Sequence, residues 1–328
     1  MKKVKKIMPY VVVTVLLLIV VAMAYVSWAL PNVGKPEELK VDITPARVAH
    51  GKYLAMHVNV CIDCHSTRDW TIFAAPIDTT QQGGGGELFD ASAGFPGKVY
   101  SSNITPGNLK NWTDGEILRA FTCGVKKDGS AIFPLMPWPY YSKMDREDAY
   151  DIIAYIRSLA PQEKSYEKRK LDFPLNFIVN TMPAKATFGK RPAESDTVKY
   201  GEYLVQNAAC RECHTQNDKG TPLPGMDLAG GMEFKLPGIT VRTANITPDK
   251  TDGIGQWTKE QFVQAFKKYK AKDYKPQAVA PGEFQTVMPW TMYAGMKVSD
   301  LEAIYTYLKT IKPVKNQVVK FDKRAEAE

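Results

Sequence analysis

Histidine is scarce in this sequence, four residues in 328, and cysteine is hardly commoner at five. A structural zinc site needs four good ligands, and so few donors cannot complete one beside each cysteine pair. A basic stripe interleaved with aromatics is also missing, which argues against a nucleic-acid role. The net charge of +8 falls to +4 once Lys2, Lys3, Lys5 and Lys6 are set aside. That leaves only weak, salt-dependent steering of an acidic partner. The glycine run "QQGGGG" (81–86) neither follows a strand pattern nor opens a helix, so it reads as a flexible loop rather than a phosphate cradle. After residue 316 there is only a charged tail and no recognisable signalling domain.

What is present begins with an uncharged, mostly apolar run from Ile7 to Leu30, directly after the lysines. Its 24 positions can cross a bilayer core at about 1.5 Å per residue. Basic flanks stay cytoplasmic, so the bulk of the chain is expected on the far side of the membrane. A cleaved secretory peptide is the alternative, with Ala22-Met23-Ala24 as a small-x-small site. The run continues through Tyr25, Val26 and Trp28, past a typical signal core, which favours an uncleaved anchor.

Four of the five cysteines sit in "CIDCHS" (61–66) and "CRECHT" (210–215). In Cys-x-x-Cys-His the two thiols can form thioethers with the vinyl groups of one haem, and the adjoining His can reach its iron. The motif therefore implies two covalently bound haem c groups on Cys61, Cys64, Cys210 and Cys213, with His65 and His214 as axial ligands. A thioredoxin-like pair would need a strand–helix setting that the sequence does not offer.

The motif recurs because the chain is a duplication, six landmarks returning in the same order. "HGKYLAMHVNVCIDCH", "GGGGELF", "SSNITP", "NWTDGEILRAF", "PLMPWPYYSKM" and "DAYDIIAYIRSLAP" are matched by "YGEYLVQNAACRECH", "AGGMEF", "TANITP", "QWTKEQFVQAF", "TVMPWTMYAGM" and "DLEAIYTYLKTIKP". Spacings between landmarks show that each copy carries seven extra residues in a different loop. Each copy reads as three helices: one leading into the cysteine motif (near 45–58 and 196–209), one opened by a capping box (Thr113 with Glu116, Thr258 with Gln261), and a strongly periodic third that stops before Pro161 and Pro313. Between the copies, "FPLNFIVNTM" is too apolar for a free linker and is expected to pack across the boundary between the halves.

The sixth iron ligand decides between carrier and catalyst. Met136 and Met288, each followed by Pro-Trp, occupy matching positions, as do Met144 and Met296 eight residues later. A following Pro keeps the backbone extended and out of a helix, which suits a loop presenting a side chain, so Met136 and Met288 are the axial candidates. Met144 and Met296 stand at the start of the third helix, a common place for a core methionine. His50 and His57 compete at the first site, but His57 has no histidine counterpart in the second copy. Cys123 reads as a buried, inert residue, or else as a thiolate able to ligate iron or a sulfur substrate. The Asn-Ile-Thr-Pro turns at 103–106 and 245–248 are either plain turns or loops with Asn or Thr free to bond a haem propionate.

On these residues the chain resembles the class I cytochrome c family, and in particular duplicated di-haem cytochromes similar to the cytochrome subunits of membrane-bound alcohol and aldehyde dehydrogenases. The resemblance covers roughly 44–162 and 196–315. It implies an all-α fold: two tandem domains, each of three main helices and long loops around a haem with His/Met ligation, after an N-terminal transmembrane helix. The organisation expected is a signal-anchor at 1–38, cytochrome c domains at 39–161 and 196–316, a linker at 162–195 and a tail at 317–328. Such subunits often carry three units where this chain has two.

The function implied is one-electron transfer on the periplasmic side, between a dehydrogenase or quinol-oxidising complex and a terminal acceptor such as an oxidase or small carrier, rather than catalysis by this chain alone. The rival readings are a di-haem peroxidase, a sulfur-oxidising haem protein using Cys123, and a haem-based sensor. A peroxidase needs one haem able to open a site, whereas both copies carry the same Met-Pro-Trp segment.

Overall fold

The computed structural model describes residues 2–324, so the end of the charged tail lies outside the described residues. Helix α1 (Lys2–Trp28) opens the chain. Its Ile7–Trp28 stretch has a mean hydropathy of 2.7, buries none of its residues, and is long and apolar enough to cross a membrane. The first copy then contributes α2 (Pro45–Tyr53), α3 (Cys61–Cys64), α4 (Pro106–Leu109), α5 (Asp114–Cys123), α6 (Trp138–Tyr141) and α7 (Arg146–Ser158). After α8 (Leu175–Ile178), the second copy contributes α9 (Thr197–Asn207), α10 (Cys210–His214), α11 (Lys259–Lys267), α12 (Trp290–Tyr293) and α13 (Val298–Leu308).

Both capping boxes form, Thr113 with Glu116 and Thr258 with Gln261, satisfying reciprocal donors at the starts of α5 and α11. The periodic stripes of α7 (Ala149, Ile152, Ile153, Ile156) and α13 (Leu301, Ile304, Leu308) are buried. Each packs on the helix that leads to its own cysteine motif, α7 on α2 and α13 on α9. The crossings are close because they meet at glycine. A Cβ on Gly51 would lie 1.7 Å from the Asp151 carbonyl oxygen, and one on Gly201 would lie 2.0 Å from that of Ala303.

One residue breaks the match between the copies. Gly51 is ten positions before Cys61, whereas Gly201 is nine before Cys210. The structure absorbs the extra residue in a π-turn, Leu54–Val58, that continues α2. Counted back from the cysteines, His57 within that turn stands in register with Gln206, and Val60 beyond it with Ala209.

The all-α expectation is overturned. The structure is about 40% helix with about 10% strand, and its strands form three sheets. Strands β1 (Leu88–Phe89), β2 (Gly97–Tyr100) and β3 (Lys170–Leu171) form one sheet, β4 (Asn217–Asp218) and β5 (Thr221–Pro222) a hairpin, and β6 (Glu233–Leu236), β7 (Ile239–Arg242) and β8 (Phe321–Lys323) the third. All pairings are antiparallel, with Leu88 opposite Tyr100, Gly97 opposite Leu171, Leu236 opposite Ile239 and Ile239 opposite Lys323. The physical reason is that the long segments between cysteine motif and Asn-Ile-Thr-Pro turn satisfy their backbone groups by pairing with each other and with the chain returning after the third helix.

The halves share one hydrophobic core, in which Leu54, Val58 and Tyr141 join Leu204, Val205 and Tyr293. Reciprocal hydrogen bonds tie them together. Tyr53 donates to Asp300 Oδ2 at 2.5 Å and accepts from Lys297 N at 3.0 Å. Tyr203 donates to Asp148 Oδ2 at 2.5 Å and accepts from Asp145 N at 3.0 Å. The loop at 71–74 is clasped by the extra residues of the second copy, with Phe73 N donating to Gln277 O at 2.8 Å and Ala74 N to Gln285 Oε1 at 2.8 Å. The apolar middle of the linker, expected between the halves, instead packs against α1 through α8.

Candidate haem-binding sites

The two cysteine motifs are presented by the same local device. Val60 and Ala209, each just before the first cysteine, adopt left-handed backbone with φ of 45° and 50°. This is a costly conformation for a non-glycine residue and especially for a β-branched one, so the fold holds these turns under strain at both sites. The turn redirects the chain from α2 or α9 into the short helix that carries both cysteines. Tyr141 donates to Asn59 O and Tyr293 to Ala208 O, each at 2.9 Å, pinning the chain immediately before the turn.

His65 and His214 are oriented identically. His65 Nδ1 lies 2.7 Å from Ser102 O, and His214 Nδ1 lies 2.7 Å from Ala244 O. A carbonyl accepts only, so Nδ1 carries the proton and Nε2 is the nitrogen available to a metal, the arrangement that fixes the tautomer of a ligating histidine. Burial holds both imidazoles below the usual histidine range, with the bond to the carbonyl pulling the other way. Both rings are thus kept neutral, which is the ligating form.

The glycine run earns a different role from the flexible loop predicted. Gly85 N donates to His65 O at 2.8 Å and Gly230 N donates to His214 O at 2.7 Å. Both have φ of +73°, and a Cβ would lie 2.6 Å from Ser101 O or 2.4 Å from the Ala244 carbonyl carbon. Only glycine lets this segment cross the one whose carbonyl holds the histidine. Neither carbonyl was singled out from the sequence. The matched "GG" pairs before "EL" and "ME" were the signal that could have located the crossing.

The cysteine thiols are held far above their ordinary range, Cys61 and Cys213 pushed up to about 12 and Cys64 and Cys210 up to about 11, chiefly by burial. Cys64 is nevertheless exposed to solvent. Asn59 Nδ2 donates to Asn207 O at 3.3 Å, so the segments entering the two cysteine turns meet across the interface. Beside the first turn, buried Arg68 pairs with Asp63 at 3.2 Å and with Glu87 at 2.9 Å.

The two pairs of methionines differ in burial. Met144 and Met296 are each 1% exposed and belong to the core, whereas Met136 and Met288 are half-buried at its margin. The Pro after each does not extend the chain as expected. Pro137 (φ −76°, ψ 45°) and Pro289 (φ −79°, ψ 64°) form inverse γ-turns, with Trp138 N donating to Met136 O at 2.7 Å and Trp290 N to Met288 O at 2.8 Å. A one-turn helix starts directly afterwards, so the turn fixes where the methionine stands.

The other candidates resolve into structural roles. His57 Nδ1 lies 2.8 Å from Met292 O in the other half, as Gln206 Nε2 lies 3.2 Å from Tyr140 O. His50 sits between Asp148 and Asp151, the one group of metal-ligand type gathered among the described residues. Arg191 already fills the cationic place there, 3.2 Å from His50 Nε2 and 2.7 Å from Asp148 Oδ1. Cys123 is half-buried at the end of α5, not buried as predicted. Asn103 and Asn245 are consumed internally: each Oδ1 accepts from the Thr two residues on, and each Nδ2 donates to a carbonyl after the third helix, Gln162 O at 2.6 Å or Val314 O at 2.8 Å. They are structural turns, with nothing left for a propionate.

Comparison with known proteins agrees with this geometry. Residues 198–312 match the family model described as Cytochrome c. The alcohol dehydrogenase (quinone) cytochrome c subunit of Gluconacetobacter polyoxogenes is 28% identical over 83% of this chain and 58% of its own length. The fructose dehydrogenase cytochrome subunit of Gluconobacter japonicus is 28% identical over 80% of this chain and 52% of its own. A protein named diheme cytochrome c-type, from Cereibacter sphaeroides, is 26% identical over 90% of this chain and 96% of its own. The chain thus spans little more than half the length of the dehydrogenase subunits it resembles. The resemblance drawn from the cysteine motifs is borne out: residues 198–312 match the cytochrome c family model, and that family implies covalently bound haem c.

Proposed function

We propose that the chain is a di-haem c-type cytochrome, anchored by α1 with both halves outside the cytoplasm, that passes electrons from a dehydrogenase or quinol-oxidising partner to a terminal acceptor. The observation that carries this reading is the duplicated histidine geometry, His65 on Ser102 O and His214 on Ala244 O, with each ring's Nε2 left to ligate. The full-length relative named as di-haem supports two sites, and the names of the dehydrogenase subunits support the class of partner.

Cys61 with Cys64, and Cys210 with Cys213, would hold one haem each by thioethers, in domains that correspond to 39–161 and 196–316. When bound, haem c supplies a reversible one-electron couple. His65 and His214 would each supply a nitrogen ligand and Met136 and Met288 a sulfur ligand. A methionine held by its γ-turn would leave no open position for a substrate and would raise the potential, both of which suit a carrier. The shared core keeps the halves in one fixed arrangement, and the contact of Asn59 with Asn207 directly before the two cysteine turns favours passage between sites without rearrangement.

The test is the optical and magnetic spectrum of the oxidised holoprotein beside its Met136→Ala and Met288→Ala variants. Two low-spin haems, each losing its methionine-to-iron charge-transfer band in one variant, are the expected result. A high-spin haem in the wild type, or a band untouched by both substitutions, would refute the ligand assignment.

A further inference from the structure

Phe173, Phe177 and Ile178 stand outside the hydrophobic core that the halves share. Phe173 is 77% exposed and Ile178 is 45% exposed, and Phe177 stands edge-on to Phe173 with ring centroids 6.2 Å apart. These side chains sit on the segment that packs against α1. Asn180 Nδ2 donates to Val26 O at 3.4 Å, fixing the level of contact. Val26 is two residues, or about 3 Å, from the end of the apolar span at Trp28. Trp28 is itself 88% exposed, in the position where tryptophan belts mark the membrane–water boundary. Exposed Lys168, Lys170, Lys185 and Lys190 flank the apolar segment on both sides.

We propose that residues 173–178 form a second membrane contact, seated in the headgroup–acyl boundary beside the exit of α1, with the flanking lysines over anionic headgroups. The inference rests on the reading of α1 as a retained anchor. A single helix leaves the attached body free to rotate about its axis. A second apolar element at the same depth, bounded by lysines, adds buried apolar area and electrostatic attraction, the two contributions that hold interfacial segments. The contact would present one fixed side of the body to the bilayer and the other to soluble partners. Phe284 and Phe321, both exposed and with ring centroids 5.1 Å apart, have no such continuity with α1 and serve as an internal control.

The test uses the full-length holoprotein in nanodiscs of phosphatidylethanolamine and phosphatidylglycerol that carry a diazirine in the upper acyl chain, with adducts mapped by mass spectrometry. Labelling of peptide 173–182 several-fold above peptides containing Phe284 or Phe321, and reduced in F173S/I178S while α1 stays labelled, is the expected result. Labelling of α1 alone would overturn the second contact and leave the anchor standing. Labelling of neither would overturn both, while the haem spectra would still report on the electron-transfer reading. No variant is needed for the first comparison, so a folding defect in F173S/I178S cannot rescue the proposal.

Discussion

Tyr53→Phe removes one oxygen atom and two hydrogen bonds from the interface between the halves. The carboxylate it abandons, Asp300, is 0% exposed. Its remaining polar neighbours are the Tyr200 hydroxyl at 3.5 Å and the Ser299 hydroxyl at 3.4 Å, both at the limit of hydrogen bonding. A hydrogen bond to a buried charged group is worth about 1.5–3 kcal/mol, and leaving that group unsatisfied puts the loss at about 3 kcal/mol. Tyr203→Phe is the same change in the other half, but Asp148 keeps the Arg191 guanidinium at 2.7 Å and has His50 Nδ1 at 3.8 Å. Its cost should stay near 1.5 kcal/mol, the lower end of the range. Guanidinium unfolding of the full-length holoprotein in detergent, followed by far-ultraviolet circular dichroism with unchanged m-values, measures both losses. The double variant should split the transition in two as the halves uncouple. If Y53F falls within about 0.5 kcal/mol of the wild type, or Y203F is the more damaging, the account of the interface is wrong.

Burial lowers the pKa of His57 in the folded state, so the unfolded chain binds the extra proton first as pH falls below about 6.5. The His57 contribution to stability is therefore complete above that pH and is lost as pH drops through the folded value. His57→Gln, which copies the residue in register in the second half, should keep the bond to Met292 O and flatten that decline, as read by thermal unfolding across the acid range. Asn103→Ala removes the acceptor for Thr105 and the donor to Gln162 O and Lys164 O. It should cost about 2–3 kcal/mol in chemical unfolding while leaving the haem spectra unaltered, because the Asn reaches no propionate.

How much of this was legible in sequence depended on whether a residue acted through its own chemistry or through its neighbours' backbone. The cysteines and histidines of the two motifs, the capping threonines, and the stripes of α7 and α13 announce themselves, because spacing and side-chain type suffice. Met136 could be told from Met144 only because duplication and a following Pro-Trp broke the tie. The strands were missed although "EFKLPGITVR" holds a signal: alternating residues on both sides of Pro237-Gly238, where Gly238 has φ of +74°. The carbonyls of Ser102 and Ala244 could not be read at all, since every residue has a carbonyl and only the fold brings these two to the histidines. The same is true of His57. The π-turn brings it into register with Gln206, and one extra residue does not reveal from sequence where it will be absorbed.

Interface residues that contact each other reciprocally, Tyr53 with Asp300 and Asp148 with Tyr203, are the signature of an isologous association. Before the duplication, one polypeptide carrying both the tyrosine and the aspartate could meet a second copy of itself by these same contacts, closing as a two-fold pair. Fusing two such genes preserves the geometry while replacing a concentration-dependent encounter with a tethered one. Once the partners were no longer identical, each could drift alone. The insertion that made room for His57, and the seven residues that clasp the loop at 71–74, are changes that a symmetric pair would have had to accept twice.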